Sequence, residues 1–235
     1  MKNYFSIASL VIFGATVSYA SLIPIGVVPN SGSGLGAVST ILTFTSPGNT
    51  STETGCVGAG LGGTTVTGST KCPSATFLGG NEQAINNVYS TASVGFTNFS
   101  NFQLIFNPSE PASAASISLD NLALTIWSST GTLLQTHLLA SAYAIANADP
   151  GVGNSGWGFV LDAGQAAAAN ALLSPSGTVL YVGAAANASD ATGGLETIYV
   201  RTTTAAVPEP GTMSMLGSGL LLLGVSSLRK LRNRQ

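Results

Sequence analysis

Charge is what this sequence has least of: of 235 residues, seven are Lys or Arg, nine are Asp or Glu, and one is His. Between Ser21 and Val207 the bases are Lys71 and Arg201 alone, against Glu53, Glu82, Glu110, Asp120, Asp149, Asp162, Asp190 and Glu196, a net charge of −6. A domain so poor in cations cannot neutralise a phosphate backbone by counterion release, which argues against nucleic acid as a partner. The one histidine, His137, must carry any Ser-His-Asp scheme, and no Gly-x-Ser-x-Gly elbow stands in the chain to present a nucleophile. Two cysteines outside a CxxC spacing, one histidine and scattered acids give no zinc signature. No internal repeat of the kind that builds a solenoid or propeller is present.

What fills the chain instead is Gly, Ser, Thr, Ala and Asn between apolar runs, a composition that suits short strands and many turns better than amphipathic helices. The length fits one sizeable core. Strands are expected at Ala37 to Thr45, where Val38, Thr40, Leu42 and Phe44 share one parity, and at Thr64 to Gly68. The stretch Ser93 to Phe106 carries Phe102, Leu104 and Phe106 at period two, and the Pro108 to Pro111 segment breaks it. A hairpin follows, turning at Ser129 to Gly131. Gly156 to Leu161 reads as a short strand, and Asp162 with Gln165 as a capping-box-like start of one Ala-rich helix ending near Ser174. Thr178 to Val182, a loop at 187–194, and a last strand at Leu195 to Thr203 complete the reading. The expected fold is all-β, a jelly-roll-like β-sandwich with one inserted short helix.

Both ends read as processing segments. Residues 1–20 carry Lys2, an apolar stretch from Tyr4 to Val17, and small residues at Ser18 and Ala20, the build of a secretory signal peptide cut between Ala20 and Ser21. Export makes an oxidising compartment, in which Cys56 and Cys72 are expected to close a structural disulfide. A bridge over about 15 residues is worth about 3 kcal/mol in the chain-entropy picture. At the other end, residues 213–228 form an uncharged, mostly apolar stretch, about 24 Å long as a helix. The basic tail at 229–235, with Arg229, Lys230, Arg232 and Arg234, belongs on the cytoplasmic side by the positive-inside rule. That leaves a domain at 21–206 outside the membrane.

Pro208, Glu209 and Pro210, followed by the apolar stretch and then the basic end, together resemble the PEP-CTERM sorting signal of Gram-negative bacteria, also catalogued as the C-terminal domain of ice-binding proteins. The resemblance covers 207–235. It implies that a membrane-embedded exosortase, a cysteine transpeptidase, recognises the Pro-Glu-Pro element, removes the helix and passes the protein to the surface or an exopolysaccharide matrix. The inner membrane is then a transient partner. The physical logic agrees: Pro-x-Pro is stiff, extended and poor in helix donors, and so presents backbone just outside a membrane stop.

Candidate chemistry inside the domain is sparse. Gly151, Gly153 and Gly156 have dinucleotide-fingerprint spacing, but a Pro precedes them and a strand follows, where the fingerprint needs a strand before and a helix after. Two of the acids could serve a glycosidase, although each falls near a turn or element end where capping and solubility explain it. Asn147, Asp149 and Asn154, and Asn187, Asp190 and Glu196, offer the loop oxygens that calcium takes, without EF-hand spacing; no metal or cofactor is otherwise expected. Trp127, Trp157, Tyr143, Tyr181 and Tyr199 are candidates for a sugar-stacking platform or for core. Thr43 with Thr45, and Thr65 with Thr67, are threonine pairs at strand spacing, short of the ladder an ice-binding face needs.

The expectation is a non-enzymatic exported protein of the surface or matrix, structural or exopolysaccharide-associated. An extracellular carbohydrate-active hydrolase and an ice-binding module are the alternatives. Deleting residues 211–235 is expected to release the domain from the membrane fraction into the periplasm; fractionation checks this, and continued membrane retention would contradict the anchor.

Overall fold

The structure, a computed structural model, describes residues 21–28, 38–45, 50–62, 65–77, 85–108, 116–146, 156–173, 178–191 and 195–203. Thirteen strands lie among them: β1 (Ser21–Val28), β2 (Ser39–Phe44), β3 (Glu53–Gly62), β4 (Thr65–Ser69), β5 (Ile85–Asn86), β6 (Tyr89–Ser90), β7 (Phe102–Asn107), β8 (Ile117–Trp127), β9 (Leu133–Leu139), β10 (Tyr143–Ile145), β11 (Gly156–Leu161), β12 (Tyr181–Ser189) and β13 (Glu196–Thr202). One helix, α1 (Ala163–Leu173), stands between β11 and β12.

The strands form one continuous ladder in the order β4-β3-β12-β8-β9-β1-β11-β7-β13-β2-β5, with β10 on β8 and β6 on β12. The ladder curls on itself. β2 and β3 lie far apart along it, yet a Cβ at Gly55 of β3 would meet the Leu42 and Phe44 side chains of β2 at 3.1–3.3 Å. Between the facing arms lies the main core, with Leu42, Phe44, Phe102, Leu104, Phe106, Leu122, Leu124, Phe159, Val182 and Ile198 among its buried members. The joint between the arms is small: β1 runs parallel to β9 only through Ser21 opposite Leu138 and Leu22 opposite Leu139. Its other side pairs antiparallel with β11 from Leu22 to Val28. A register shift between Pro24 and Gly26, with Gly26 at φ +84, bends β1 to serve both neighbours.

The mostly β reading with one helix matches, and β2, β4, the β8–β9 hairpin, β11 and β13 fall on or beside their expected places. The stretch Ser93 to Phe106 does not. Its strand begins only at Phe102, because Phe96, Phe99 and Phe102 pack on one another with ring centroids 5.4–5.9 Å apart. A three-residue spacing needs turns, and a 3-10 turn at Phe99–Asn101 provides them, capped by Asn98, whose Oδ1 accepts the Ser100 N–H at 2.7 Å. The loop expected at 187–194 is partly strand, since β12 continues to Ser189. Strand β3 and the reach of β12 were not expected from sequence, because Gly and Ala carry little strand propensity of their own; β1 was not expected either, although its Ile and Val residues favour strands, and Pro24 and Gly26 interrupt it.

Tertiary packing explains the small residues. β12 sits between β3 and β8, with Ala184, Ala185 and Ala186 opposite Val57, Cys56 and Gly55 on one side and Leu124, Ala123 and Leu122 on the other. The predicted bridge is made: Cys56 of β3 is joined to Cys72, with Cα atoms 5.3 Å apart. It pins the segment before Phe77 over the outer face of β12, where Cys56, Phe77, Ala123 and Ala185 form a second buried cluster. Nearby, Trp127 donates its Nε1 hydrogen to Thr125 Oγ1 at 2.8 Å, and Lys71 Nζ lies 5.7 Å from its ring centroid.

At Gly183 a Cβ would collide with the Val57 carbonyl oxygen and come within 2.8 Å of Thr125 Oγ1. Gly183→Val should therefore cost about 3 kcal/mol through forced separation of β3, β12 and β8. Urea unfolding of the oxidised protein checks this; an unchanged midpoint would mean the strands part freely there.

Candidate functional site

The sorting residues Pro208, Glu209 and Pro210, the tail residues Arg229, Lys230, Arg232 and Arg234, and Ala20 all lie outside the described residues, as do the expected membrane segments. Among the described residues, no helix is long and apolar enough to cross a membrane. What the structure does place is the start and end of the domain between them. Ser21, the residue expected to follow the signal cut, is the first residue of β1 and stands opposite Leu138. At the other end Thr203 donates its backbone N–H to the Asn101 carbonyl at 2.8 Å.

The acids are not all surface caps. Glu53 and Glu196 begin β3 and β13, at element ends as expected, but both are 0% exposed, which corrects the expectation that such acids sit there for solubility. They lie at one end of the fold, because Glu196 is opposite Phe44 and Gly55, two residues from Glu53, meets Phe44 across the interior. Asp120 accepts from Ser118 Oγ at 2.8 Å, and Asp190 is exposed with φ +60. Of the calcium candidates, Asn147, Asp149 and Asn154 lie outside the described residues. Asn187 donates to the Thr76 carbonyl at 3.4 Å, and Glu196 is enclosed. Among the described residues no three His, Cys, Asp or Glu side chains gather as metal ligands would.

Of the aromatic candidates, Tyr181 of β12 and Trp127 of β8 lie opposite each other, and the others are dispersed. Trp127 and Tyr199 are buried on different arms, Tyr143 packs edge-on against Phe159 at 5.8 Å, and Trp157 leans on the main core. Burial pushes the Tyr199 hydroxyl up to about 12, against the opposing pull of Arg201. The threonine pairs do not share a face, since Thr43 is buried while Thr65 and Thr67 lie exposed on β4, the last strand of the ladder.

One polar cluster joins β9 to α1. His137 was expected on an exposed strand position, but it is only 3% exposed. The reason is register: His137 lies opposite Leu124 of β8, on the core face. Its Nε2 is 3.1 Å from Gln135 Oε1, and Gln135 Nε2 donates to the Ala168 carbonyl of α1 at 3.2 Å. The helix is held from its first turn as predicted, with Asp162 Oδ1 accepting the Gln165 N–H at 2.8 Å. The reciprocal half of a capping box is not made. The Gln165 side chain turns inward instead, where its amide atoms and His137 Nδ1 are buried without hydrogen-bond geometry to a partner. Burial lowers the His137 pKa from 6.5, and the nearby Asp162 carboxylate and Gln165 amide oppose that shift without cancelling it. The enclosed imidazole bonds to Gln135, and Gln135 ties the strand to the helix. The Asp162–Gln165 spacing was legible in the sequence, whereas the meeting of β9 with α1 was not.

Residues 206–230 match the PEP-CTERM protein-sorting motif. The match falls on the resemblance carried by Pro208, Glu209 and Pro210. It implies export, processing by an exosortase and a surface or extracellular destination. No curated protein and no solved structure matches the chain.

The His137 linkage has a definite sign. Its folded-state pKa is below its unfolded value, so the unfolded chain takes up the proton first as pH falls below 6.5, and stability drops until the lowered native pKa is passed. His137→Gln should remove this part of the pH dependence. Melting temperatures of the two proteins between pH 7.5 and pH 5, about the range in which histidine titrates, check it: parallel curves would mean His137 does not titrate differently on folding.

Proposed function

We propose that this chain, which carries a PEP-CTERM sorting motif, delivers its β domain as a non-enzymatic component of the cell surface or extracellular matrix, in weak contact with exopolysaccharide. The observation that carries the reading is the motif at residues 206–230, immediately after the last strand of the domain. The inner membrane of a Gram-negative cell is the way station and an exosortase the processing partner. We read the curled sheet as a jelly-roll-like β-sandwich, an architecture that offers broad strand faces to extended ligands.

Two features support the non-enzymatic reading over a carbohydrate-active hydrolase. A glycosidase needs two carboxylates flanking an accessible bond. Here the two acids that share one end of the fold, Glu53 and Glu196, are 0% exposed, and the one histidine is buried in a structural link. The ice-binding alternative has less support, since the two threonine pairs lie on separate surfaces and one member is in the core.

Co-sedimentation of the processed protein with the insoluble exopolysaccharide of its source, with calcium and with chelator, tests the reading while reducing sugar is followed. Saturable binding without sugar release is expected. Release of sugar would make the protein a hydrolase, loss of binding with chelator would bring calcium into the site, and absence of binding would remove the polysaccharide contact.

A further inference from the structure

Both ends of the domain leave from one edge. Leu22 is opposite Leu161, Phe159 opposite Leu104, and Phe102 opposite Thr202, so the start of β1 and the end of β13 are level across the arm β1-β11-β7-β13. Three strand spacings separate them, about 14 Å. The exit of β13 is fastened there, by Thr203 to the Asn101 carbonyl and by Arg201 Nε donating to Gln103 Oε1 at 2.7 Å.

The same edge carries large aliphatic side chains in the open. Ile23 and Ile25 of β1 are 43% and 45% exposed, and Leu134 and Leu138 of β9 are 40% and 47% exposed. Leu138 is opposite Ser21, and Ile23 follows two residues on, on the same outward face; Ile25 lies further along β1 and Leu134 four residues earlier on the parallel β9, so the four form a row along the strands about 25 Å long. Neither strand contains Lys, Arg, Asp or Glu, and the one titratable side chain, His137, is buried beneath. Exposed apolar patches of this kind mark surfaces that meet a membrane or another protein.

Chain length decides between those occupants. The apolar stretch of the leader ends at Val17, four residues before Ser21, which places the edge within about 14 Å of it. From Thr203 to Met213, where the second apolar stretch begins, the chain spans at most about 35 Å. Until the leader is cut, two apolar segments expected to enter a bilayer therefore emerge beside this row of uncharged aliphatic side chains, and after the cut the second remains.

We propose that this edge is a membrane-seating surface, on which Ile23, Ile25, Leu134 and Leu138 rest in the headgroup and upper acyl region while the domain is tethered, holding the Pro-Glu-Pro segment at the bilayer surface. This rests on the sorting reading above. Leu195 is the internal comparison: it is 40% exposed, but it precedes β13 at the end opposite the exit.

The test uses the full chain in phosphatidylethanolamine–phosphatidylglycerol vesicles. Because Cys56 and Cys72 are tied together, a single new thiol can be labelled with bimane at Ile23→Cys, Leu138→Cys or Leu195→Cys. Brominated acyl chains should quench the labels at 23 and 138 by about half, as for groups seated 5–10 Å into the interface, and leave 195 unchanged. Unquenched labels at 23 and 138 on a chain that floats with the vesicles would overturn the seating and leave the anchor reading intact, as would equal quenching at all three positions. A chain that does not float with the vesicles would overturn the anchor reading and the seating with it. Quenching only when the processing enzyme is co-reconstituted would assign the edge to that protein and overturn the lipid proposal.

Discussion

The fold depends on a two-residue joint. Ser21 and Leu22 of β1 pair with Leu138 and Leu139 of β9, and through them one arm of the ladder continues into the other. Without β1 the sheet would present open edges at β9 and β11, each an unpaired row of backbone donors and acceptors. A strand that must satisfy a parallel neighbour on one side and an antiparallel one on the other has to bend. The bulge around Ile25 and the positive φ of Gly26 supply that bend. The same strand begins the described domain, so closure of the sheet and the site of the expected signal cut fall on adjacent residues.

A chain with so few charges holds itself together by backbone pairing and close approach. The three strands β3, β12 and β8 pack with Gly and Ala between them, and Gly183 leaves no room for a methyl group beside the Val57 carbonyl. The disulfide at Cys56–Cys72 covers this thin region from outside, where small side chains bury little apolar surface of their own. Helix α1 closes on the core through Ala166 and Ala169, and is tied by Gln135 and capped by Asp162. Among the buried polar side chains, those of His137 and Gln165 lie where the helix meets the sheet.

Function divides along the same line. The motif at 206–230 specifies an address, and the domain supplies the cargo, in which Glu53, Glu196 and the histidine are turned inward. Outward side chains are aliphatic along β1 and β9 and hydroxyl-bearing at β4.

Sequence alone determined the sorting motif, the pairing of Cys56 with Cys72, the β class, the single helix and its Asp162 cap, because each rests on local order: residue type, short spacing, or a count of two cysteines. Tertiary structure decided the rest. Period-two patterning identified β2 and β8 but missed β1, β3 and the length of β12, whose small or exposed residues make sense only beside particular neighbours. It placed the Phe96, Phe99 and Phe102 cluster in a strand, where ring-on-ring packing requires turns. The burial of His137, Glu53 and Glu196, and the departure of both chain ends from one edge, follow from strand registers that pair residues as far apart as Ser21 and Leu138. No local pattern encodes a register of that span, because it is set by which faces of the curled sheet must exclude water together.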